Sequence, residues 1–239
     1  MGSGYPNGII YINDCSGSAS ACGAQTFALN AGFYATEQMN VGCTGTPAGS
    51  CIYYSCPGQM QPQGVSAGTI TVSGPWLTPP VTMTPLPGGN WYAYQSSSPG
   101  FTAGQTLTVS GSGATVPAFG PEAVVAPALT LLTSPALAPD SGTTVIETGA
   151  DLPITWSGGQ PGATMLFEVV AMPNINEWTY CTWNGSDGQG TVPAAALKPF
   201  SGMNASVSYG QFSETDFYAG PFSVAISVLP FTAASVSFQ

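Results

Sequence analysis

Thr69-Ile70-Thr71-Val72-Ser73 alternates polar and apolar residues, and Thr106-Leu107-Thr108-Val109-Ser110 repeats the pattern. Phe222, Val224, Ile226 and Val228 fall on one face of a third run, and Val236 and Phe238 on one face of a fourth. Side chains on an extended strand point alternately to its two sides, so period-two runs of β-branched residues read as half-buried strands. The runs are short because 31 Gly and 22 Pro punctuate the chain. Gly supplies positive φ and Pro cannot donate to a ladder, so both mark turns between strands. Helical periodicity is nearly absent; the best candidate is one turn at Pro193–Leu197, with proline at its start. The expected fold class is all-β, with antiparallel sandwiches.

The segment 117–139 carries five prolines, with no strand expected before Ala128–Leu132, and a domain boundary is placed near residue 126. Residues 1–4, Met-Gly-Ser-Gly, read as an expression scar replacing a removed leader. Residues 5–126 form an expected Cys-rich β-sandwich domain, with strands near 8–13, 26–35, 51–56, 68–73, 81–84, 91–96 and 105–110. Residues 127–239 form a second domain, with strands near 128–132, 143–147, 152–157, 164–172, 178–183, 203–213, 221–228 and 233–238. Seven or eight short strands in about 110 residues suit an immunoglobulin-like sandwich, with Trp156 as the buried anchor of an early strand.

Charge excludes several functions. Only 5% of the 239 residues are charged, and 11 acids stand against one Lys, with no His, for a net charge of −10. Binding nucleic acid requires cationic contacts to phosphate, and docking on anionic lipid requires them too. Neither partner is expected. Without histidine there is no imidazole base, no imidazole metal ligand and no Ser-His-Asp triad. At 44% hydrophobic content the chain can bury a sizeable core. No window approaches 18 uninterrupted apolar residues, so no transmembrane helix is expected.

The cysteines at 15, 22, 43, 51, 56 and 181 are even in number, which in a Gly/Pro-rich β protein favours disulfides and an oxidising compartment. The rival is a thiolate metal site, but Cys51 and Cys56 are spaced C-x4-C rather than C-x2-C. On an extended strand those two face opposite sides and do not pair with each other. Five cysteines precede residue 60, so complete pairing of Cys15, Cys22, Cys43, Cys51, Cys56 and Cys181 needs one long-range bridge.

Asp140-Ser141-Gly142-Thr143-Thr144 has the form of an aspartic-protease signature. That chemistry needs two carboxylates sharing a proton. Glu147-Thr148-Gly149 supplies the wrong acid too close in sequence, so both stretches read as turns flanking a short strand. Carboxylate-only glycoside hydrolysis would draw on Glu168, Glu177, Asp187, Glu214 and Asp216. Calcium could use Asp187, or Glu214 with Asp216, although the Asp-x-Asp-x-Asp-Gly loop is missing. No other cofactor and no catalytic residue is assigned. Trp91 lies on the face of its strand opposite Tyr92 and Tyr94, and Trp178 with Tyr180 lies opposite Trp183. One face of each must pack the core while the other is free for sugar rings or a protein surface. Trp91, Tyr94, Trp178 and Trp183 are the candidate binding residues, and Tyr53-Tyr54 is read as packing around a bridge.

The stretch LPITWSGGQPGATMLFEVV, the strand carrying Cys181 and the phrase DGQGTVPAAAL resemble Ig-like modules in secreted proteins and lipoproteins of myxobacteria and related bacteria. The resemblance covers roughly residues 128–239. The segment from AGTITVSG to GATVPAFGPEAVVAPALTLLTSP is similar to the module that precedes them. It implies a location at or beyond the cell envelope and a structural or binding role, and it brings no catalytic residues. The leading expectation is an exported, non-enzymatic structural or binding protein, recognising a glycan, a protein or a second copy of itself. The alternative is an extracellular hydrolase using carboxylates alone.

Overall fold

A computed structural model of the chain describes residues 6–15, 25–35, 43–57, 63–97, 100–137, 143–173, 175–230 and 232–239. Its strands in chain order are β1 (Gly8–Asp14), β2 (Phe27–Phe33), β3 (Thr44–Ala48), β4 (Cys51–Ser55), β5 (Ile70–Gly74), β6 (Leu77–Met83), β7 (Trp91–Ser96), β8 (Thr106–Gly111) and β9 (Phe119–Val125). There follow β10 (Leu131–Ser134), β11 (Thr144–Ile146), β12 (Leu152–Ser157), β13 (Thr164–Met172), β14 (Glu177–Asn184), β15 (Gln189–Val192), the one-turn helix α1 (Ala194–Leu197), β16 (Asn204–Ala219), β17 (Phe222–Pro230) and β18 (Thr232–Phe238). The fold is all-β; among the described residues the one α-helical turn, α1, directly follows Pro193, and 3-10 turns lie at Gly185–Asp187 and Lys198–Phe200.

One eleven-stranded sheet runs through the molecule in the order β3-β4-β14-β13-β16-β17-β1-β2-β7, with β18 on β16 and β11 on β18. Two smaller sheets, β9-β8-β5-β6 and β10-β12-β15, complete the set. In β16 the odd residues Ala205, Val207 and Tyr209 enter one core, while Ala219, with Phe217 packed beside it, enters the other. A strand alternates sides at every residue, so both cores lie on the same face of the long sheet. The four-stranded sheet covers the first core and the three-stranded sheet covers the second.

The second sandwich has an immunoglobulin-like order. Its first, third and sixth strands, β10, β12 and β15, form one sheet, and the remaining strands form the other as β14-β13-β16-β18-β11. Trp156 on β12 is buried in this core and its Nε1–H donates to the Gly185 carbonyl at 2.7 Å.

The two cores draw residues from both sides of the expected boundary near residue 126. Val224, Ile226 and Val228 of β17 pack in the first core with Ile10, Phe27 and Leu107, and β17 pairs in parallel with β1. In return, the β3–β4 hairpin adds to β14, placing Cys51 in the second core. Strands from either side of the expected division into 5–126 and 127–239 thus enter both cores, and β16, at 16 residues, is long enough to span both sandwiches.

Phe119–Val125 is corrected from linker to strand. Proline is tolerated there because β9 is an edge strand whose register shifts between Phe119 and Glu122. Thr44–Ala48 and Gln189–Val192 are further strands not expected from the sequence. Gly210 makes the crossing from β17 to β18 feasible, since a Cβ there would meet the Pro230 carbonyl oxygen at 2.3 Å.

Gln211 fixes the junction of the two sandwiches. Its fully buried side chain accepts from the Gln160 N–H at 3.0 Å and donates to the carbonyls of Ala128 at 2.7 Å and Gly158 at 3.1 Å. A buried amide is stable only when its groups are paired, so these bonds tie the interdomain segment to the long strand. Tyr92 plays a similar part in the first core, donating to the Gly68 carbonyl at 2.9 Å and accepting from the Ala67 N–H at 3.0 Å.

Candidate binding face

The face of the long sheet opposite both cores is covered by no other sheet among the described residues. On β16 it carries the even residues Ser206, Ser208, Gly210, Phe212, Glu214, Asp216 and Tyr218. Its aromatic end is built across β4 and β14. Tyr54 lies directly opposite Trp178 in the register, and their rings stack at 5.3 Å and 18°. Tyr54 also stacks on Tyr180 at 5.9 Å and 9°. Gly45 on β3 makes room for the Tyr54 ring, which would contact an added Cβ at 3.0 Å.

Glu168 on β13 stands between this stack and β16, opposite Tyr180 on one side and Ser208 on the other. It is half-buried, and burial pushes its carboxyl above the usual carboxylate range. Val170 and the half-exposed Met172 continue the face beside Trp178. The arrangement combines aromatic rings, of which Tyr54 is buried and Trp178 and Tyr180 are partly exposed, one reluctant carboxylate and the partly exposed Ser206 beside a buried Ser208. That mixture suits a neutral, hydroxyl-rich or amphipathic ligand.

The four aromatic candidates divide between the two faces. Trp178 is on the open face and Trp91 lies over Gly32 on the same side, 40% exposed. Tyr94 packs against the first core, 6.4 Å from the Phe27 ring. Trp183 packs against the second core, 5.9 Å from Trp156. Tyr94 and Trp183 therefore lie on the core side of the long sheet, opposite Trp178 and Trp91. Six strand steps, about 29 Å, separate β14 from β7, so Trp91 and Trp178 do not form one subsite.

Sequence reasoning gave Tyr54 to packing around a bridge. In fact the two tyrosines part: Tyr53 turns to the core and meets Phe200 at 5.9 Å, whereas Tyr54 joins the outer stack. The alternation along β4 carries that separation, but the cross-strand partner cannot be read from it.

Glu214 and Asp216 are neighbours, two residues apart on one face of β16. Glu168 and Glu214 are separated along β16 by the distance from Ser208 to Glu214, about 20 Å at six residues, beyond the roughly 5–10 Å of a glycosidase pair. Glu214 accepts from the Ser227 hydroxyl at 2.5 Å. Burial and the neighbouring Asp216 raise its carboxyl, while the serine bond opposes the rise. Asp151 caps the backbone N–H of Ala194 at 2.8 Å. Thr148 donates through both its N–H and its hydroxyl to the Gln239 carbonyl, so the Glu147–Asp151 stretch is a structural turn. Asp140, Ser141 and Gly142 lie outside the described residues. So does Cys22.

No group of three or more acids or cysteines able to hold a metal occurs among the described residues. Cys43 is bonded to Cys56 and Cys51 to Cys181, and Cys15 is disulfide-bonded as well. The Cys51–Cys181 bridge stands on the core side of the same strand pair whose outer side carries the aromatic stack. Among the described residues no helix is long and apolar enough to cross a membrane.

No protein-family model and no curated protein matches the chain. Among solved structures, a two-domain fibronectin type-III segment from chicken tenascin is similar over 78% of this chain and 95% of its own, at 10% identity and a TM-score of 0.21. A structure titled as a Ca2+-stabilized adhesin that helps an Antarctic bacterium bind ice is similar over 99% of this chain, at 13% identity and a TM-score of 0.24. This chain spans about half of that adhesin structure, 50%. At such scores neither likeness adds to the fold, which rests on the strand order above.

Proposed function

We propose that the protein is an exported structural or binding protein of the cell surface or extracellular space, and that it recognises a glycan or protein through the open face of its long sheet. The observation that carries this reading is the face itself: one sheet shared by two sandwiches, with the half-buried Trp178 and Tyr180 packed around a buried Tyr54 and no other sheet over them among the described residues. Disulfides persist in oxidising compartments, and the bridges at Cys43–Cys56 and Cys51–Cys181 support export. A low-charge, hydroxyl-bearing surface favours a neutral partner over a polyanion. The family resemblance of residues 128–239 agrees with a bacterial envelope setting.

The test is binding of the oxidised protein to a panel of soluble polysaccharides and to intact cell surfaces, compared with Trp178→Ala. Binding that falls at least tenfold in the variant supports the face. Undiminished binding in the variant, or inertness to both polysaccharides and cell surfaces, removes it.

A further inference from the structure

The edges of the three sheets differ in what they offer a further strand. Three exposed edges carry proline, which cannot donate to a new ladder: β3 has Pro47, β6 has Pro79 and Pro80, and β9 has Pro121 at its register shift. The edges at β10, β11 and β15 are four, three and four residues long. The β7 edge differs. It has six residues, WYAYQS, with no proline, no charge and an unbroken register on β2.

The ladder fixes which backbone groups of β7 are free. Phe33 donates its N–H to the Asn90 carbonyl at 3.2 Å, and Phe33 and Asn90 continue the β2–β7 register. In an antiparallel pair, hydrogen-bonded positions alternate, so β2 takes the even residues Tyr92 and Tyr94. The N–H and C=O groups of Ala93 and Gln95 point to the outer edge, where they meet no backbone partner among the described residues, and the side chains of both are exposed. Trp91 is already engaged there, since its carbonyl accepts from the Leu86 N–H at 2.7 Å.

We propose that the Ala93–Gln95 edge pairs antiparallel with the same edge of a second copy of this chain. A two-fold axis beside Tyr94 sets Ala93 against Gln95 of the partner subunit and the reverse. Each such pair exchanges two hydrogen bonds, which satisfies all four free groups of each copy. A register centred on Ala93 would instead require the Trp91 carbonyl that Leu86 occupies. Charge decides between a second copy and a cationic peptide. Copies of a chain with net charge −10 repel, but neither β7 nor the adjoining β2 contains a carboxylate, so neither strand adds to the repulsion along this edge, and β7 has no acid to recruit a basic partner. The pairing joins two eleven-stranded sheets into one, with their open faces continuous across the axis.

The test is sedimentation equilibrium of the oxidised full chain from micromolar to millimolar concentration, with amide exchange at Ala93 and Gln95 followed over the same range. The expected result is a monomer–dimer equilibrium in which those two amides slow as dimer forms. Ala93→Pro removes a donor that the β2 ladder does not use, so it should weaken dimerisation about a hundredfold without lowering the melting temperature. Gln95→Pro serves the same purpose if the first variant misfolds. A strictly monomeric wild type overturns the pairing, as does a wild-type dimer constant in a proline variant that melts like wild type. Ligand binding by the Trp178 face is read separately on the same samples, so loss of one proposal leaves the other measurable.

Discussion

The two sandwiches share a sheet but are assembled in different ways. The second owns an immunoglobulin-like strand set drawn from residues 131–238, and the β3–β4 hairpin is an addition at its edge. The first has no such independence: Ala219, Val224, Ile226 and Val228, all in its core, arrive from near the C-terminus. Hydrophobic stabilisation follows the surface a core buries, wherever in the chain the residues lie. Proximity in sequence is therefore a poor guide to which half of this molecule depends on the other.

The sharpest way to break that comparison is to excise residues 1–126. Without β17 and half of β16, the fragment should show no cooperative thermal transition by circular dichroism; a cooperative melt would make the first sandwich autonomous after all. Next in size is removal of the long bridge. The Cys51→Ser/Cys181→Ser pair opens a loop of 130 residues, and the chain-entropy model assigns about 4–5 kcal/mol to such a closure. Calorimetry should show a drop of roughly 8–20 °C for a chain of this size, with faster amide exchange in β4 and β14 than in β1 and β2.

A smaller effect is expected at the junction. Gln211→Leu strands the Gln160 N–H and the carbonyls of Ala128 and Gly158, which should cost about 2–4 kcal/mol. Chemical denaturation should then separate into two transitions; a single unshifted transition would show that the junction does not couple the sandwiches.

The smallest effect is at Glu168. Its folded carboxyl titrates above the ordinary 4.5, so folding is favoured while the group is protonated. That contribution is complete below the unfolded value and is lost as pH rises through the folded one. Glu168→Gln should therefore stabilise the protein at pH 7 and leave it nearly unchanged at pH 4, as read from urea midpoints. Equal shifts at both pH values would assign the effect to packing instead.

Much of the strand pattern was legible because alternation survives in short windows. Thr164–Met172 and Leu152–Ser157 occur as expected from their runs. Thr44–Ala48 was hidden because Thr-Gly-Thr-Pro-Ala has turn composition, and it is held as a strand by the Cys43–Cys56 bridge and by pairing with β4. The far half of β16 was hidden because Ser213–Asp216 is polar; it extends only because β17 pairs with it. For the site, period two correctly set Trp178 with Tyr180 and against Trp183. Which of the two faces would be buried depends on the small sheets above the long one, and that is decided by residues far away in sequence. The stack of Tyr54 on Trp178 was unreadable for the same reason: a hairpin of the N-terminal half meets a strand of the C-terminal half.

The late arrival of β17 also orders events during synthesis. A chain that emerges N-terminus first displays Ile10, Phe27 and Leu107 long before residues 222–230 exist to cover them. It cannot close its first core until residues 222–230 have cleared the ribosome. Both sandwiches are then completed close together, as β17 and β18 arrive one after the other. During that interval its uncovered strands are open to helper proteins, and to aggregation if none is present.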